Sequence, residues 1–343
     1  MISPARTLAA IILPFLLLCA TPLAAQPPTQ TGKTFISKEG RFSVQLPSRP
    51  KYSTQGVGDD AAINHIYLLE KGDSAYYLSY SDFKPDALKS VSVSKVLDGA
   101  RDGGVANSKG KLLSEKSITL YGFPGREIAI DLPGAMKTKA RERFYMAENR
   151  LYTIIFAGPY TTADSAATDA FLASLKLQKP QPVPPSWLLV ESAEGRFRIM
   201  MPGKPDSSVD PPDKKDAVHL WQLTLEKEEV GYFVAYNDLP DTLTKSEDIE
   251  SALNKGRDAL AKSLKATVAE ESLLSVDGNP GRVSRMNVIT KDASKAVILF
   301  RDFIVKDRYY QIMVIGNKLT IDKAHVDEYM DSFQLISDEA AKK

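Results

Sequence analysis

An internal duplication constrains the fold of this chain more than any other feature of its sequence. Residues 39–50 read EGRFSVQLPSRP, and residues 194–205 read EGRFRIMMPGKP. In each copy a Glu-Gly turn precedes alternating apolar residues, and the prolines that follow cannot donate to a strand ladder. Each copy therefore predicts the opening strand of a module.

The two halves align almost without gaps from this strand onward. The repeat period is about 155 residues, which is the size of a domain rather than of a solenoid repeat. The chain of 343 residues is long enough for two such units. We therefore predict a tandem of two complete modules. The matched positions include Tyr80 and Tyr236, Asp82 and Asp238, Arg101 and Arg257, Gly122–Arg126 and Gly278–Arg282, Arg143 and Arg301, Arg150 and Arg308, and Tyr152 and Tyr310.

The predicted boundaries follow from this alignment. We expect a signal peptide over 1–25, a first module over 33–178, a linker over 179–186 and a second module over 187–337. The linker is rich in proline, which favours the polyproline II conformation and a semi-rigid spacer. Two similar modules on such a spacer are suited to bivalent contact.

The N-terminal segment predicts export. Arg6 precedes an apolar run, and small residues lead up to Ala25, where a signal peptidase would cut. An alternative is a lipoprotein box ending at Cys19, but Leu18 stands where that box has a small residue. We expect cleavage near Ala25, a periplasmic or extracellular protein, and no lipid anchor at Cys19. Cleavage there would remove the only cysteine.

Charge and motif content restrict the function classes. The formal net charge is +1 at pH 7, so the chain lacks the basic field that attracts nucleic acid or a membrane surface. The sequence contains no nucleophile elbow, zinc-protease helix, phosphate loop or cysteine pair. We therefore predict no enzyme activity, no cofactor and no metal site.

The order of elements predicts an antiparallel sheet covered by helices, which is an α+β fold. Val93–Ala100 has helical spacing that should stop at Gly103 and Gly104, and a Thr244–Glu247 capping box should start its counterpart. The Phe123–Gly125 and Asn279–Gly281 corners predict type II turns. In the first module, strands are expected near 42–46, 62–69, 75–82, 111–120, 126–131, 141–147 and 151–157.

Three recurring motifs resemble the PsbP and DcrB group of small α/β sandwich domains. They are the Glu-Gly-Arg-Phe opening with its proline stop, the Gly-x-Pro-Gly-Arg corner, and the Phe-x-x-Ser-Leu or Tyr-x-x-Ser-Phe ending. The resemblance covers nearly all of the mature chain, twice. It implies an export-associated, non-catalytic module that contacts other proteins. It carries no binding residue over to this sequence.

Four residues are candidates for partner binding. His65 and His219 occupy equivalent places on the second strand after each opening strand, with Tyr67 and Trp221 two residues later on the same face. One hypothesis is a recognition face in which an imidazole and an aromatic ring meet a partner. The favoured alternative is a half-exposed strand pair that both copies inherited from the duplication.

The paired arginines allow two interpretations as well. Their planar guanidinium groups suit an anion or carboxylate site. Local contacts to turn carbonyls or to acidic residues such as Asp131 and Asp302 are the favoured interpretation.

The function that the sequence favours is that of an exported, non-catalytic protein of the cell envelope. It would act as a protein-interaction or scaffold module and bind an envelope protein. The sequence gives neither the identity of that protein nor the oligomeric state of this chain. The alternative is a carrier of a small ligand or lipid in a cavity between sheet and helix.

Overall fold

The computed structural model describes residues 32–57, 62–84, 88, 91–134, 137–179, 182–211, 217–239, 246–289, 295–322 and 325–336. The predicted signal peptide, Cys19 and Thr244 lie outside these residues. The chain divides into two compact units. The first unit contains Gln30–Phe35 and Phe42–Leu177, and the second contains Ile36–Arg41 and Gln178–Lys343. The short segment Ile36–Arg41, which the sequence assigned to the first module, thus groups with the second unit.

The first half of the chain has ten strands and three helices among its described residues. The strands are β1 Lys33–Ser37, β2 Phe42–Leu46, β3 Lys51–Val57, β4 Ala62–Lys71, β5 Ser74–Asp82, β6 Lys111–Leu120, β7 Phe123–Leu132, β8 Thr138–Ala147, β9 Arg150–Pro159 and β10 Lys176–Leu177. The helices are α1 Val93–Ser108, α2 Tyr160–Ala163 and α3 Ala166–Ala173.

The second half repeats this order. Its described strands are β11 Leu188–Ser192, β12 Phe197–Met201, β13 Asp206–Asp210, β14 Val218–Leu225, β15 Val230–Asp238, β16 Ala266–Val276, β17 Asn279–Ile289, β18 Lys295–Val305, β19 Arg308–Asn317 and β20 Gln334–Leu335. The helices are α4 Ser246–Ser263, α5 Lys318–Ile321 and α6 Val326–Ser332.

Each unit has an antiparallel main sheet with the same strand order. In the first unit the order is β3-β4-β5-β9-β8-β7-β6, and in the second it is β13-β14-β15-β19-β18-β17-β16. The opening strand of each module pairs with the module's closing strand, β2 with β10 and β12 with β20. The predicted α+β fold is confirmed.

Both faces of each main sheet are covered. In the first unit α1 packs on β7 and β8, and in the second unit α4 packs on β16–β18. The other face of the second sheet carries the opening strand and the closing helix, where Phe197, Tyr329 and Phe333 belong to one buried cluster. The opening motif therefore forms part of a core layer, because the alternating apolar residues of its strand point into the protein.

The Pro-Gly corners differ from their prediction. The turns are formed by Tyr121–Gly122 and Asp277–Gly278, whose φ angles are all positive, as in a type I′ hairpin. The following Pro-Gly pairs lie within β7 and β17. A Cβ atom at Gly125 would lie 2.3 Å from the carbonyl oxygen of Phe144. Glycine is therefore needed there for close approach of the neighbouring strand, and the type II turn prediction is wrong.

Helix α1 is longer than its sequence predicts. It begins after Ser92, whose side chain accepts a hydrogen bond from the Lys95 amide, and it continues through Gly103 and Gly104 to Ser108. The predicted stop at the two glycines is therefore wrong. Tertiary packing of Leu97, which is buried, outweighs the poor helix propensity of glycine.

The predicted spacer contributes to a core. Val183 packs against the large apolar cluster of the second unit, and the Trp187 amide donates to the Pro184 carbonyl in a turn. Part of the predicted linker is therefore attached to the second unit rather than standing free as a spacer. The tandem of two complete modules with the predicted boundaries stays a prediction.

Candidate recognition site at the histidine stacks

The two predicted histidines lie at matching places in the two sheets. His65 on β4 is opposite Tyr80 on β5, and His219 on β14 is opposite Tyr236 on β15. Each pair of rings has a centroid separation of 4.4 Å, with interplanar angles of 3° and 9°. Directly opposed residues on antiparallel strands have neighbouring Cβ atoms, so the register itself brings the rings together. Each imidazole is therefore stacked flat on a tyrosine.

An arginine lies against the same tyrosine in the first unit. The guanidinium carbon of Arg150 is 4.5 Å from the Tyr80 ring centroid, within the range of a cation–π contact. The same guanidinium donates from Nε and Nη2 to the two carboxylate oxygens of Asp82, at 2.6 and 2.5 Å. Stacking and bidentate pairing together fix the arginine in one orientation.

The second unit repeats this arrangement. The guanidinium carbon of Arg308 is 4.4 Å from the Tyr236 centroid. Its Nε and Nη2 atoms donate to the carboxylate oxygens of Asp238, at 2.6 and 3.1 Å. The matched residues of the alignment thus form the same histidine–tyrosine–arginine–aspartate cluster in both units. We call these two clusters the histidine stacks.

In the second unit the stack also holds the opening turn of the module. The Tyr310 hydroxyl donates to the Gly195 carbonyl at 2.8 Å, and Arg308 donates to the Glu194 carbonyl. A Cβ atom at Gly195 would lie 2.6 Å from the ring of Tyr236, so the turn approaches that ring too closely for any side chain. These contacts explain why the second copy of the motif has glycine at position 195.

The two predicted residues of the first unit differ in exposure. Tyr67 is 1% exposed and packs on Phe35 and Phe42, with ring centroids 5.1 and 5.8 Å away. His65 is half-buried, and its Nδ1 atom lies 2.7 Å from the Tyr52 hydroxyl. Only the histidine of this pair therefore reaches the surface, because Tyr67 belongs to the aromatic core.

The two predicted residues of the second unit are both half-buried. Trp221 packs edge-on against Phe197 at 5.2 Å and lies 6.1 Å from Tyr236. The His219 side chain is 20% exposed, with Nε2 4.0 Å from a carboxylate oxygen of Glu194. His65 thus has a second aromatic neighbour in Tyr52, whereas Trp221 contacts Phe197 and Tyr236. A role of these four residues in partner binding stays a prediction.

A chain of charges attaches α1 to its sheet in the first unit. Arg101 of α1 donates to Glu115 of β6 at 3.0 Å. Arg126 of β7 pairs with the same glutamate and with Asp98 of α1, the latter at 2.5 Å. Asp98 and the two arginines are half-buried and Glu115 is exposed, and together these ion pairs attach the helix to the edge of the sheet.

The second unit has the same attachment in a more buried form. Arg257 of α4 pairs with Glu271 of β16. Arg282 of β17 donates to Glu271 at 3.1 Å, to Glu250 at 2.8 Å and to Asn254 at 2.6 Å. Arg282 is 2% exposed, which makes it the most buried arginine of the described chain. A buried guanidinium requires this many acceptors, since unpaired burial of a charge is costly.

The other paired arginines also have local partners. Arg143 donates from Nε to Glu127 at 2.6 Å. Arg301 donates from Nη1 to the Met330 carbonyl and to Asp331, both at 2.9 Å. These arginines therefore have carboxylate or carbonyl partners within their own unit, as the local-contact interpretation expects.

The two aspartates named from the sequence have tyrosine partners instead. Asp131 accepts a hydrogen bond from the Tyr160 hydroxyl at 2.8 Å, and Asp302 accepts one from Tyr309 at 2.9 Å. Arg143 contacts Glu127, which is directly opposite it on the adjacent strand, and Arg126 contacts Glu115, which lies diagonally across on β6. Asp302 nevertheless lies directly opposite Arg282 on the adjacent strand, and the charge of that arginine acts on it.

One buried carboxyl group, Glu142, was missed by the sequence analysis, and the burial of another, Asp302, was not predicted. Burial raises the pKa of Glu142 on β8 to about 7. Burial also raises the pKa of Asp302 on β18 to about 7, although the hydrogen bond from Tyr309 opposes this shift. A signal existed in the sequence, since each carboxyl replaces an aromatic residue of the other copy: Glu142 matches Phe300, and Asp302 matches Phe144.

One surface cleft adjoins the closing helix of the second unit. Its volume is about 560 Å³. Four of its residues, Asp322, His325, Asp327 and Glu328, carry ionisable side chains. The Nδ1 atom of His325 lies 2.9 Å from Glu328, so part of this lining is paired internally. The cleft is polar and open rather than an apolar cavity between sheet and helix.

The described residues contain no group of three or more His, Cys, Asp or Glu side chains arranged to hold a metal ion. In the same part of the chain, no helix has the length and apolar character needed to cross a membrane.

No protein-family model matches the chain, and no curated protein matches it in sequence. Solved structures do match. Cyanobacterial PsbP (CyanoP) from Synechocystis sp. PCC 6803 is 10% identical, with a TM-score of 0.34, over 46% of this chain and 98% of that one. The protein of unknown function PA94 from Pseudomonas aeruginosa, a putative regulator, is 11% identical, with a TM-score of 0.26, over 39% and 99%.

A longer match is the immunity protein TplEi of the T6SS from Pseudomonas aeruginosa, in a complex with an "L" peptide. It is 11% identical, with a TM-score of 0.24, over 90% of this chain and 99% of that one. The match to a PsbP protein agrees with the resemblance that the sequence motifs predict, and it concerns the fold alone.

Proposed function

We propose that this protein is an exported, non-catalytic component of the cell envelope that binds another protein as an interaction or scaffold module. The proposal combines the predicted leader with a surface feature of the first unit. That feature is an open edge of the main sheet, which is a natural place for a partner strand to bind.

Strand β6 carries the proposal. It is ten residues long, it stands at the end of its sheet, and β7 is its one neighbour among the described strands of that sheet. Its first seven residues, Lys111–Ser117, are all exposed, and Leu112 and Leu113 are among them. A long exposed edge strand offers a row of backbone donors and acceptors, and natural proteins usually shield such an edge.

A bulge interrupts only the start of this strand. The register with β7 shifts between Leu112 and Ser114, so Leu113 is the extra residue. From Ser114 to Leu120 the pairing is regular. A bulge at one end blunts an edge locally, but seven residues remain in register. That length is sufficient for an added strand, whose side chains would alternate as those of β6 do.

The ionisable groups support binding rather than turnover. Two of the carboxyls whose pKa is raised to about 7, Glu142 and Asp302, are buried beneath helices instead of opening into a cleft. The arginines described above pair with acidic residues or carbonyls of their own unit. An enzyme needs titratable groups that converge on accessible substrate, and this arrangement does not favour one.

A carrier of a small ligand or lipid is the alternative function. Such a carrier needs an apolar pocket that encloses most of the ligand. The cleft at the closing helix has a charged lining, so it favours this alternative less than the open edge favours strand binding.

Site-specific photocrosslinking in intact cells tests the proposal. We would place a photoreactive residue at Leu113, which is 46% exposed on β6, and at Leu319, which is 77% exposed in α5, as the matched control. The expected result is a discrete protein adduct from position 113 that the control does not give. Equal or no adducts from both positions would remove β6 as the binding strand.

Affinity of the purified full chain for the captured protein then separates binding from turnover. Charges on an edge strand oppose added strands, so Leu112→Lys with Leu113→Lys should weaken binding at least ~10-fold. Leu189→Lys changes an exposed apolar residue on β11 and should leave the affinity unchanged. Catalytic consumption of the captured protein, or equal affinity for both variants, would contradict the proposal.

A further inference from the structure

Glu142 is a carboxyl group inside an apolar layer of the first unit. It lies on β8 opposite Ile128 of β7 and Ile155 of β9, and it is 4% exposed. Its Oε2 atom is buried and has no hydrogen-bond partner among the described residues. Buried carboxylates are normally paired, so an unpaired oxygen at this depth requires an explanation.

The space for this carboxyl exists because α1 carries a glycine directly above it. A Cβ atom at Gly104 would lie 2.8 Å from Oε2 of Glu142, which is closer than real Cβ contacts. The surrounding side chains are apolar and belong to one buried cluster between α1 and the sheet. The cluster contains Leu97, Ile128, Ile130, Ala140, Phe144 and Met146.

Among the described residues, no opposite charge in this layer is available to Glu142. The charged side chains on the helix-covered face pair with one another at the sheet edge, and they are Asp98, Arg101, Glu115 and Arg126. Lys95 and Asp102 of α1 are exposed. The other charged side chains of β7, β8 and β9 alternate onto the sheet face away from α1 and Glu142. They are Glu127, Asp131, Lys139, Arg141, Arg143 and Arg150.

The second unit shows the same layer without this carboxyl. Leu260 of α4 stands where α1 has Gly104, and Phe300 of β18 stands where β8 has Glu142. Both belong to one apolar cluster that contains Met286, Ile298 and Met313. The glycine and the glutamate of the first unit therefore replace a packed apolar pair together.

We propose that Glu142 makes the docking of α1 on the first sheet sensitive to pH, with α1 docked over the neutral carboxyl and released when the carboxyl ionises in water. The cause is the cost of placing an uncompensated charge in this apolar layer. Displacement of α1 would expose the apolar face of the sheet. This displacement is inferred without reliance on strand binding at β6.

The direction of the pH effect follows from the two environments of the carboxyl. The pKa of Glu142 is about 7 when buried and 4.5 in its ordinary range. Below pH 4.5 the carboxyl is neutral in both states, so docking is strongest. As the pH rises towards 7, the displaced state loses its proton first, so docking weakens; above 7 the effect levels off.

Helix α1 is well suited to such local opening. It contains Gly99, Gly103 and Gly104 within sixteen residues, and glycine is the poorest helix former after proline. Its stability therefore depends on the layer that Glu142 interrupts. An element with little intrinsic stability opens before the whole domain unfolds.

Hydrogen exchange of the full chain, followed by mass spectrometry, tests the proposal. The measured quantity is the protection of amides in 93–108 at pH 5 and pH 8, corrected for the intrinsic exchange rate. The expected loss of protection in the native chain is on the order of tens-fold, as a shift of this size in pKa implies. Glu142→Gln keeps the shape without the charge, so its protection should not depend on pH.

The Glu142→Gln variant could weaken the docking of α1 at every pH, so a second variant is needed. Gly104→Leu with Glu142→Phe installs the apolar pair of the second unit, and protection of 93–108 should become high and independent of pH. The proposal would be overturned by a native chain whose protection changes less than ~2-fold between the two pH values. The same pH-dependent loss in both variants would also overturn it.

Discussion

The histidine stacks are alike in the two units, whereas the layers beneath the two long helices differ. Each stack has the same four residue types and the same ring separation of 4.4 Å. Under the helices, Glu142 and Gly104 of the first unit replace Phe300 and Leu260 of the second. Duplicated modules have therefore kept one set of contacts residue by residue and changed another.

Where the two units differ, a buried polar group and a helix glycine change together. In the second unit the buried carboxyl is Asp302, which accepts a hydrogen bond from Tyr309, and Gly256 of α4 leaves room for the tyrosine hydroxyl. A Cβ atom at Gly256 would lie 2.1 Å from that hydroxyl. In both units a helix glycine thus accompanies the buried polar group. A carboxyl group beneath a helix therefore requires a helix residue without a side chain above it. That residue is Gly104 in the first unit and Gly256 in the second.

The largest expected effect concerns the charge chain that attaches each helix. Arg282→Ala should destabilise the second unit by about 3–5 kcal/mol, because it leaves Glu250 and Glu271 without their buried partner. Arg126→Ala, at a more exposed position, should cost about 1 kcal/mol. Urea unfolding checks the first variant by tryptophan fluorescence, since both tryptophans lie in the second half of the chain. Circular dichroism checks the second variant. Equal losses of stability would mean that the deeper burial of Arg282 does not make its ion pairs more important than those of Arg126.

Alternation and repetition made much of the fold predictable. Strands β2, β4–β9 and the closing helices carry apolar residues at the required spacing, and the duplication gave two chances to recognise each one. Strand β13 escaped recognition because all five of its residues are exposed. The corner at Pro124 was misplaced because the type I′ turn uses Tyr121 at positive φ, where local rules expect glycine, asparagine or aspartate; at Pro280 the preceding Asp277–Gly278 pair was the available hairpin signal.

The sites were less predictable, because they depend on register. The sequence placed His65 and His219 at equivalent positions, but it did not show that each stacks on the tyrosine of the next strand. It also paired Tyr67 with His65 on a surface, whereas Tyr67 is in the aromatic core. Which carboxylate an arginine contacts depends on cross-strand neighbours, and one sequence without pairing information does not contain them.

The next effect is a pH dependence of the second unit. Asp302 has a pKa of about 7 when buried and about 3.8 ordinarily. Between these values the unfolded state loses its proton first, so stability should fall as the pH rises, by no more than about 1.4 kcal/mol per pH unit. Asp302→Asn keeps the acceptor for Tyr309 and should remove this contribution. The check is the urea midpoint by tryptophan fluorescence at pH 5 and pH 8, and an unchanged pH slope in the variant would refute it.

Two helix glycines should respond in opposite directions to the same change. Gly256→Ala should cost about 1–3 kcal/mol, because the new methyl group meets the buried Tyr309 hydroxyl. Gly103→Ala should stabilise α1 by about 0.5–1 kcal/mol, since no atom lies within 4 Å of a Cβ there. Thermal unfolding of the full chain, with hydrogen exchange to assign the change to α1 or α4, measures both. A stabilising Gly256→Ala would show that Tyr309 does not need the space.

The smallest effect separates the two histidine stacks. His65→Ala removes the stack on Tyr80 and the contact with Tyr52, whereas His219→Ala removes the stack on Tyr236 and only a 4.0 Å approach to Glu194. We expect both variants to remain folded, with losses of about 1 kcal/mol for His65 and about 0.5 kcal/mol for His219. Urea unfolding measures the losses, and affinity for a captured partner measures any recognition role. A loss of affinity without a loss of stability would favour the recognition hypothesis. A stability loss with unchanged affinity would favour inheritance of both stacks as structural contacts.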